Sequence, residues 1–394
     1  MGVTAYSLAM EKGIIMEKIG LHLPINSVSF GQVSTMILRT IYEREKAGNF
    51  PYELFLFPVG GVDLSSQTAL PQDFPNWIQS KIGKAFESFH RSIPLFKLWH
   101  FNGSLESYSD RQTLLTFYEL DNPTRVELNV TKNHRVVMSS KYAVNVFRMF
   151  GRDVGFLPLA FDSFNYKVLN KEYHTDGRIV FNLCGKLEHR KHHAKIIRAW
   201  IKKFGGNPKY ALQCATYNVF LGGTPQDCDR NNNELIRQLL NGMEKPFNVA
   251  FLPHMRENAV YNDFLNSANI IIGMSGGEGW GLPEFQSIAM GKHAVLLNAH
   301  AYQTWATEDM VTFVQPSGKI SSVDNMFFKP GEPYNQGQIF DWSEDEFVAA
   351  CEVAIAKVET NKVNSAGLSL QQNYTNDALT DNILKLIHDS TTSN

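Results

Sequence analysis

The sequence predicts an α/β protein with two domains, each built on a doubly wound parallel sheet. The chain has 394 residues, which is too long for one ordinary hydrophobic core and favours two domains of about 150 to 200 residues each. Short apolar runs alternate with helical segments between residues 178 and 298, as a parallel sheet with helical crossovers requires. A glycine-rich turn within residues 273–298 joins a strand to a helix, which is where such sheets bind ligands.

The composition excludes several classes of protein. The net charge is −2 and the pI is about 6.6, so the chain is not a polycation built to grip nucleic acid. The four cysteines are scattered and form no C-x-x-C pair, which indicates reduced thiols. There is no apolar run of about 18 residues, and the start of the chain lacks an apolar signal core. We therefore expect a cytoplasmic protein without a transmembrane segment.

The N-terminal half reads as alternating strands and helices. Apolar runs predict strands at residues 18–24, 52–59, 95–100, 114–119 and 135–139. Helices are predicted at residues 35–46 and 141–150. Gly31 lies in the predicted loop after the first strand, where a ligand would approach the sheet. His100 ends the third strand at the same edge, either as a ligand-contacting residue or as a partly buried, hydrogen-bonded histidine.

The C-terminal half continues the alternation. Its predicted strands cover residues 178–184, 210–217, 247–253, 268–274 and 294–297. Its predicted helices cover residues 192–204, 232–241, 261–267, 282–290, 341–358 and 379–389. Ser343 and Glu346 have the spacing of a capping box at the start of the long helix. A polar stretch at residues 163–177 separates the two halves and indicates the domain boundary.

One turn combines four glycines with an acid and a large aromatic residue. The members are Gly276, Gly277, Glu278, Gly279, Trp280 and Gly281. Glycine allows backbone N–H groups to point into a loop, and the following helix adds the positive end of its dipole. The turn therefore predicts an anion site, most often for a phosphate. A glycine-rich turn without a ligand is the alternative, and the carboxylate among four glycines disfavours it.

A basic cluster follows the strand at residues 178–184. Lys186, Arg190 and Lys191 come just before a predicted helix, whose positive end would repel them. A bound anion would relieve this repulsion, whereas the alternative is a solvated surface cluster. Three histidines lie close by, but no carboxylate or cysteine pattern completes a metal site. We expect neither a metal ion nor another cofactor.

Both motifs resemble those of the retaining glycosyltransferases of family 4. These enzymes have the GT-B fold, in which two Rossmann-like domains face a central cleft. Their donor-site signature is E-G-F/W-G-L-P-x-x-E followed by A-x-G. The matching residues here are Glu278, Gly279, Trp280, Gly281, Leu282, Pro283, Ala289 and Gly291. Gln286 stands in place of the second glutamate. The basic cluster is similar to the family segment G-R-x-x-x-x-K, with Gly185 and Lys191 matching and Lys186 in place of the arginine.

The resemblance implies a role for each candidate residue. The catalytic candidates are Glu278, Lys191, Lys186 and His100. The implied donor-binding residues are Gly31, Gly185, Lys186, Lys191, Met255, Gly279, Trp280, Gly281, Leu282 and Gln286. The implied acceptor-binding residues are Asn102, Glu119 and Asp121, which lie after two strand ends of the N-terminal half. An amide at Gln286 could still bind ribose, but without the charge assistance of a carboxylate. Glu284 would point about 200° away from Gln286 on the helix and is an unlikely substitute.

The resemblance also implies a domain organisation and a reaction. Residues 1–165 would form the acceptor-binding domain and residues 166–372 the nucleotide-sugar-binding domain. Residues 373–394 would form a helix that returns to the first domain, plus a tail. The implied enzyme is a hexosyltransferase that retains the anomeric configuration and transfers the sugar from a nucleoside diphosphate to a hydroxyl acceptor. Glucose and UDP are expected because they are frequent in the family.

Three other functions are alternatives to sugar transfer to an ordinary hydroxyl acceptor. Residues 81–152 contain eleven Lys and Arg against six Asp and Glu, so the acceptor could be DNA with hydroxymethylated bases, although ordinary surface charge is the favoured explanation. A sugar-nucleotide-binding protein without transferase activity would also accommodate Lys186 and Gln286. A nucleotide-dependent oxidoreductase needs G-x-G-x-x-G after the first strand, where only Gly31 is found.

Overall fold

The N-terminal half is built on a six-stranded parallel sheet. A computed structural model of the chain describes residues 16–392, so the predictions for residues 1–15 and 393–394 lie outside the described residues. The strands are β1 (Glu17–Ile25), β2 (Tyr52–Val62), β3 (Leu95–Leu98), β4 (Gln112–Thr116), β5 (Arg135–Met138) and β6 (Gly155–Phe156). The helices are α1 (Ser29–Lys46), α2 (Phe74–Ser88), α3 (Arg125–Asn133) and α4 (Lys141–Met149). The strand order is β2-β1-β3-β4-β5-β6, and every pairing is parallel.

The C-terminal half contains a second parallel sheet and a hairpin. The sheet strands are β7 (Ile179–Cys184), β8 (Tyr210–Ala215), β9 (Val249–Phe251), β10 (Ile270–Gly273), β11 (His293–Leu297) and β12 (Thr312–Val314), in the order β12-β11-β10-β7-β8-β9. The antiparallel hairpin is β13 (Pro316–Ser321) and β14 (Gln338–Trp342). The longer helices are α5 (His193–Phe204), α6 (Pro225–Leu240), α7 (Asn258–Ser267) and α8 (Leu282–Ala289). The remaining helices are α9 (Tyr302–Trp305), α10 (Glu344–Thr360), α11 (Ser365–Leu368), α12 (Leu370–Asn373) and α13 (Asn376–Thr392).

The predicted fold class is confirmed. Both six-stranded sheets are parallel and carry helical crossovers, as two Rossmann-like domains require. The central strand β10 consists of three isoleucines and a glycine, all buried, because it is covered on both faces of the sheet. The loops at the carboxyl ends of both sheets face one cleft, which is the arrangement of the GT-B fold. This geometry brings residues far apart in sequence to one place.

Several elements differ from those expected. The first helix begins at Ser29, six residues before its predicted start, so that Gly31 lies within it. Neither α2 nor the β13–β14 hairpin was predicted from the sequence. Ser343 does cap α10 by accepting a hydrogen bond from the Glu346 N–H, as predicted. The missed hairpin matters most, because it reaches from the C-terminal half to the N-terminal half.

The last helix packs against the N-terminal half. Arg44 on α1 forms ion pairs with Asp377 and Asp381 of α13, at 2.6 and 2.5 Å. Arg135 donates a hydrogen bond to the carbonyl of Leu386 at 3.0 Å. The domain limits at residues 165 and 372 stay predictions. Within residues 16–392, no helix is both long and apolar enough to cross a membrane.

Candidate active site

A cavity of about 250 Å³ lies between the carboxyl ends of the two sheets. The N-terminal half contributes the loop after β1 and the first turns of α1. The C-terminal half contributes the loops after β7, β8 and β9 and the start of α8. Five of the predicted donor-binding residues line the cavity, namely Gly185, Lys186, Met255, Leu282 and Gln286. A ligand here would contact both sheets at the edge where parallel sheets bind their substrates.

The loop after β7 brings two lysines to one side of the cavity. Gly185 has a φ of +104°, a conformation that favours glycine. A Cβ at this position would lie 3.3 Å from the Lys191 Nζ, so the ammonium group lies directly behind the Gly185 backbone. Lys186 lines the cavity, with its Nζ 5.0 Å from the ring centroid of Phe220 and 4.6 Å from that of Phe327. One ammonium group therefore lines the cavity at the predicted anion site, and a second lies directly behind the backbone of the same loop.

Glu278 lies in the same cluster as the two lysines. Its carboxylate is buried and forms ion pairs with Lys191 and, at 3.1 Å, with Arg190. Burial alone would raise the pKa of Glu278, but the charges of Lys191 and Arg190 outweigh burial and hold the pKa well below its ordinary value. The carboxylate therefore stays ionised at neutral pH. The structure thus brings Lys191 and Glu278 into direct contact beside the loop that carries Lys186, while their roles in donor binding stay predictions.

Arg190, which was predicted to bind an anion together with the two lysines, is paired with carboxylates of the protein. Besides Glu278, its guanidinium contacts Glu188 at 2.9 Å and Glu119 at 3.2 Å. Burial raises the pKa of Glu119 to about 7, against the opposing charge of Arg190. Carboxylates of the protein thus balance the charge of Arg190, so this residue does not require the bound anion that the sequence favoured. The contact with Glu119 joins the two halves of the chain.

The glycine loop packs against the N-terminal half. The Gly276 N–H donates to the carbonyl of Arg190 at 2.7 Å, so it does not point at a ligand. A Cβ at Gly279 would lie 2.5 Å from the Cβ of Phe117. Ser139 donates a hydrogen bond to the Gly279 carbonyl at 2.7 Å. This packing corrects the interpretation of the whole loop as an open anion site, because at Gly276 and Gly279 the glycines permit close approach of protein atoms.

Replacing Gly279 with alanine is expected to destabilise the protein by about 1–3 kcal/mol, because the added methyl group has no room against Phe117. Gly318 in β13 is a matched control, since nothing lies within 4 Å of a Cβ there. Chemical denaturation gives the free energy of unfolding of both variants. Equal losses for Gly279→Ala and Gly318→Ala would contradict the close packing.

Five predicted donor-binding residues do not line the cavity: Lys191 and Gly279, whose contacts are given above, and Gly31, Trp280 and Gly281. Trp280 is 1% exposed, and its ring packs against other aromatic residues, including Tyr374, in the core. Gly31 lies within α1, and a Cβ there would lie 2.3 Å from the carbonyl oxygen of Asn26. The glycine therefore permits the backbone at Asn26 to approach the helix closely. Gly281, with a φ of +83°, forms the start of α8. These positions shape the cleft without reaching its interior.

His100 lies beside the cation cluster, on the N-terminal side of the cleft. Its ring centroid is 4.4 Å from that of Phe30. The side chain is exposed to solvent. Protein atoms around the ring nevertheless desolvate it, and this desolvation, together with the charge of Lys186, lowers the pKa of His100 to about 4. The imidazole is therefore neutral at pH 7. Asn102 follows in an exposed 3₁₀ turn.

The two predicted acceptor-binding carboxylates serve as contacts between the halves. Asp121 accepts a hydrogen bond from the Gln338 N–H and pairs with Lys319, both at 2.8 Å, so both of its oxygens are taken by the β13–β14 hairpin. This corrects the expectation of an open carboxylate at Asp121. Glu119 pairs with Arg190 and keeps partial exposure, so its acceptor role stays a prediction.

The departure from the family signature has a structural counterpart. Gln286 lines the cavity, and its Oε1 accepts a hydrogen bond from the Asp162 N–H at 3.3 Å. Glu284 faces the other way, with its Oε2 3.2 Å from the Cβ position of Gly281, and burial raises its pKa to about 7. Glu284 therefore does not replace the missing carboxylate, as its position on the helix indicated.

Two residues that line the cavity were not among the predicted site residues, although one of them, His254, adjoins the predicted Met255. The rings of Tyr217 and His254 line the cavity, with centroids 5.5 Å apart and planes inclined by 18°. The Tyr217 hydroxyl donates to Asp229 at 2.8 Å, which holds the ring in place. Tyr217 lies shortly after the end of β8, and His254 lies shortly after the end of β9. Their positions after strand ends were the signal that could have indicated a ligand contact.

The three neighbouring histidines are structural. His189, His192 and His193 each place a ring nitrogen within 3.2 Å of a backbone carbonyl, those of Ser321, Phe340 and Cys184. The described part of the chain contains no group of three or more His, Cys, Asp or Glu side chains suited to a metal ion. Independence from metal stays a prediction.

Comparison of sequences finds no match, whereas comparison of structures finds proteins of similar fold. No protein-family model and no curated protein matches the chain. A sucrose-phosphate synthase from Thermosynechococcus elongatus matches with a TM-score of 0.61 and 12% identity, over 96% of this chain and 100% of that one. A glycosyltransferase from Rickettsia africae ESF-5 matches with a TM-score of 0.63 and 11% identity, over 96% and 99%.

A third solved structure extends the same likeness. An α,α-trehalose-phosphate synthase (UDP-forming) from Burkholderia vietnamiensis matches with a TM-score of 0.61 and 8% identity, over 96% of this chain and 99% of that one. The likeness thus covers both halves and the cleft between them. At these identities it establishes a common GT-B fold, and the chemistry has to be argued from the residues of this chain.

Proposed function

We propose that the protein is a glycosyltransferase that moves a hexose from a nucleoside diphosphate sugar to a hydroxyl acceptor with retention of configuration. The observation that carries this proposal is the placement of Lys186 and the start of α8 in the wall of a cavity between the two sheets, with the Lys191 ammonium group directly behind Gly185 in the same wall. A diphosphate there would meet two ammonium groups and a helix N-terminus, which favour negative charge. The likeness to glycosyltransferases supports the same function.

The chain can assist the reaction mainly by stabilising the leaving group. The bond between the sugar C1 and the diphosphate oxygen breaks, a bond from C1 to the acceptor oxygen forms, and the acceptor proton passes to the departing phosphate. Lys186 and Lys191 would stabilise the charge that develops on the phosphate. An ammonium group has three donors, so Lys191 can contact the phosphate while it still holds Glu278. Glu278 would accept hydrogen bonds from hydroxyls of the transferred sugar, next to the neutral ring of His100.

Glucose and UDP are the donor components we propose. The names of two similar structures, a sucrose-phosphate synthase and a UDP-forming trehalose-phosphate synthase, support a glucose-containing product and UDP as the leaving group. The stacked rings of Tyr217 and His254 give the cavity a flat aromatic wall suited to a planar base. Met255 beside them would contact the same base.

A donor panel tests the proposal. The protein is incubated with UDP-glucose, GDP-mannose and other sugar nucleotides, with and without sugar and sugar-phosphate acceptors, and release of the nucleoside diphosphate is followed by mass spectrometry. We expect turnover with one nucleotide class. Binding without turnover for every donor and acceptor would favour the non-catalytic alternative. The anomeric proton of the product, observed by NMR, tests retention, and an inverted product would contradict it.

Modified DNA is a less favoured acceptor. Several basic residues of the segment 81–152 are paired with carboxylates outside it: Lys81 with Glu45 at 2.7 Å and Lys84 with Glu53 at 2.6 Å. The local excess of positive charge is therefore partly neutralised in the fold. A gel shift with duplex DNA at low and high salt distinguishes the two acceptors, since a DNA-binding surface would give strongly salt-dependent affinity.

Replacing Gln286 with leucine is expected to weaken nucleoside diphosphate binding about tenfold. The lost amide would otherwise hydrogen-bond to the ribose, and one such bond contributes on the order of 1 kcal/mol. Calorimetric titration with UDP and with 2′,3′-dideoxy-UDP separates this role from packing. The variant should lose affinity for UDP only, and an equal loss for both nucleotides would place the ribose elsewhere.

A further inference from the structure

The connection between β3 and β4 differs from the other crossovers of its sheet. Residues 99–111 contain only the 3₁₀ turn Phe101–Gly103, whereas each of the other crossovers among β1 to β6 contains an α-helix. Backbone carbonyls in this loop lack the donors that a helix would supply, and buried ones need other partners. This loop carries His100 and Asn102, so the way it is held decides where the two side chains lie in the cleft.

Lys97 supplies the missing donors. It lies in β3 with 1% exposure, opposite His22 of β1 and Leu114 of β4. Its ammonium group donates to the carbonyls of Gly103 and, at 2.6 Å, of Glu106. Gln112 adds a hydrogen bond to the carbonyl of Ser104 at 3.2 Å. Three successive parts of the loop are thus tied to polar side chains on the sheet.

The location of this charge is unusual. Among the described residues, no carboxylate forms an ion pair with Lys97; its ammonium group is held by backbone carbonyls, and the more distant charge of Glu106 opposes the effect of burial on its pKa. Burial lowers the pKa of Lys97 to about 8. Burial of His22, together with the charge of Lys97, lowers the pKa of His22 to about 3. A buried ammonium group without an ion-pair partner is costly, and an apolar residue would serve a purely structural purpose at lower cost. The carbonyl contacts therefore indicate a purpose in the loop itself.

We infer that Lys97 is a positioning residue, which holds the 99–111 loop so that His100 stays against Phe30 and close to Lys186 in the cleft. The inference rests on the proposed function in one respect: it assumes that His100 acts in sugar transfer. The physical part stands separately, because the position of the His100 ring is measurable without any substrate.

Lys97→Met tests this inference, with Lys292→Met as the matched control. Lys292 is a half-buried lysine whose pKa burial also lowers to about 8, and it donates to the carbonyl of Asn266 at 2.7 Å in the other half of the chain. We expect Lys97→Met to lower the rate of sugar transfer by roughly 10–10²-fold, while the dissociation constant for UDP stays within about twofold. Lys292→Met should change stability without changing transfer.

The titration of His100, followed by NMR, gives the second readout. In the native protein its pKa is about 4, and in Lys97→Met it should rise towards the ordinary value of about 6.5 as the ring leaves the cleft. Gln112→Leu removes a weaker tie to the same loop and serves if Lys97→Met does not fold. An unchanged His100 pKa in a folded variant, or equal loss of transfer in Lys97→Met and Lys292→Met, would overturn the inference. If the native protein transfers no sugar but the His100 pKa shifts as expected, the proposed function fails and the positioning role stands.

Discussion

Replacing Lys191 with methionine is expected to lower the turnover number with a nucleotide-sugar donor by about 10²–10³-fold, the usual cost of one electrostatic contact to a developing charge. Methionine keeps most of the volume of the lysine and removes its charge. Glu278 keeps Arg190 as an ion partner at 3.1 Å, so the carboxylate is not left alone. Steady-state kinetics at a temperature well below the unfolding midpoint measure the effect.

Lys202→Met is the control for this substitution. Lys202 lies on α5, the helix that follows Lys191, but its side chain is 61% exposed and pairs with Glu344 outside the cleft. Its replacement should leave the turnover number within about twofold of native, because surface ion pairs contribute little. Turnover by Lys191→Met within about threefold of native would show that this lysine does not stabilise the leaving group.

Replacing Arg190 with methionine is expected to destabilise the fold by about 3–5 kcal/mol. The guanidinium is buried and contacts Glu119, Glu188 and Glu278, and breaking a buried pair by removing one partner leaves uncompensated charge. Arg237→Met is the control, because Arg237 is 73% exposed and pairs with Glu234 on the surface. That loss should be at most about 1 kcal/mol. Similar losses for the two variants would contradict the buried network.

The loss caused by Arg190→Met should depend on pH. Burial already raises the pKa of Glu119 to about 7, above its unfolded value, and removal of the guanidinium raises it further. The folded variant therefore binds more protons than its unfolded chain near neutral pH, so its stability falls as the pH rises. The difference from the native protein should be smaller at about pH 5.5 than at about pH 8. Chemical denaturation at both values of pH checks the sign.

The parts of the site that could be predicted lie at the ends of neighbouring strands. Gly185 to Lys191 follow β7 and the glycine loop follows β10, and these two strands pair in the sheet. Parallel strands meet at the same edge with their carboxyl ends. The contact between Lys191 and Glu278 therefore follows from the pairing of β7 with β10. The alternation of elements predicted a parallel sheet but not its strand order.

The parts that could not be predicted depend on contact between the two halves. Arg190 reads as one more cation in a basic run until Glu119 is placed beside it across the interface. Gly279 reads as an anion-binding residue until Phe117 is seen against it. The position of Asp121 depends on the β13–β14 hairpin, which has a weak sequence signal and was not predicted. Local patterns describe one domain at a time, so they do not contain these contacts.

A crystal structure of the protein with a bound nucleoside diphosphate sugar tests the central claim most directly. The account predicts a diphosphate within hydrogen-bond distance of Lys186 and Lys191, with the ribose beside Gln286 and the base against Tyr217 and His254. The sugar should reach the Glu278 carboxylate. A ligand bound outside this cavity, or a diphosphate that contacts neither lysine, would contradict the account.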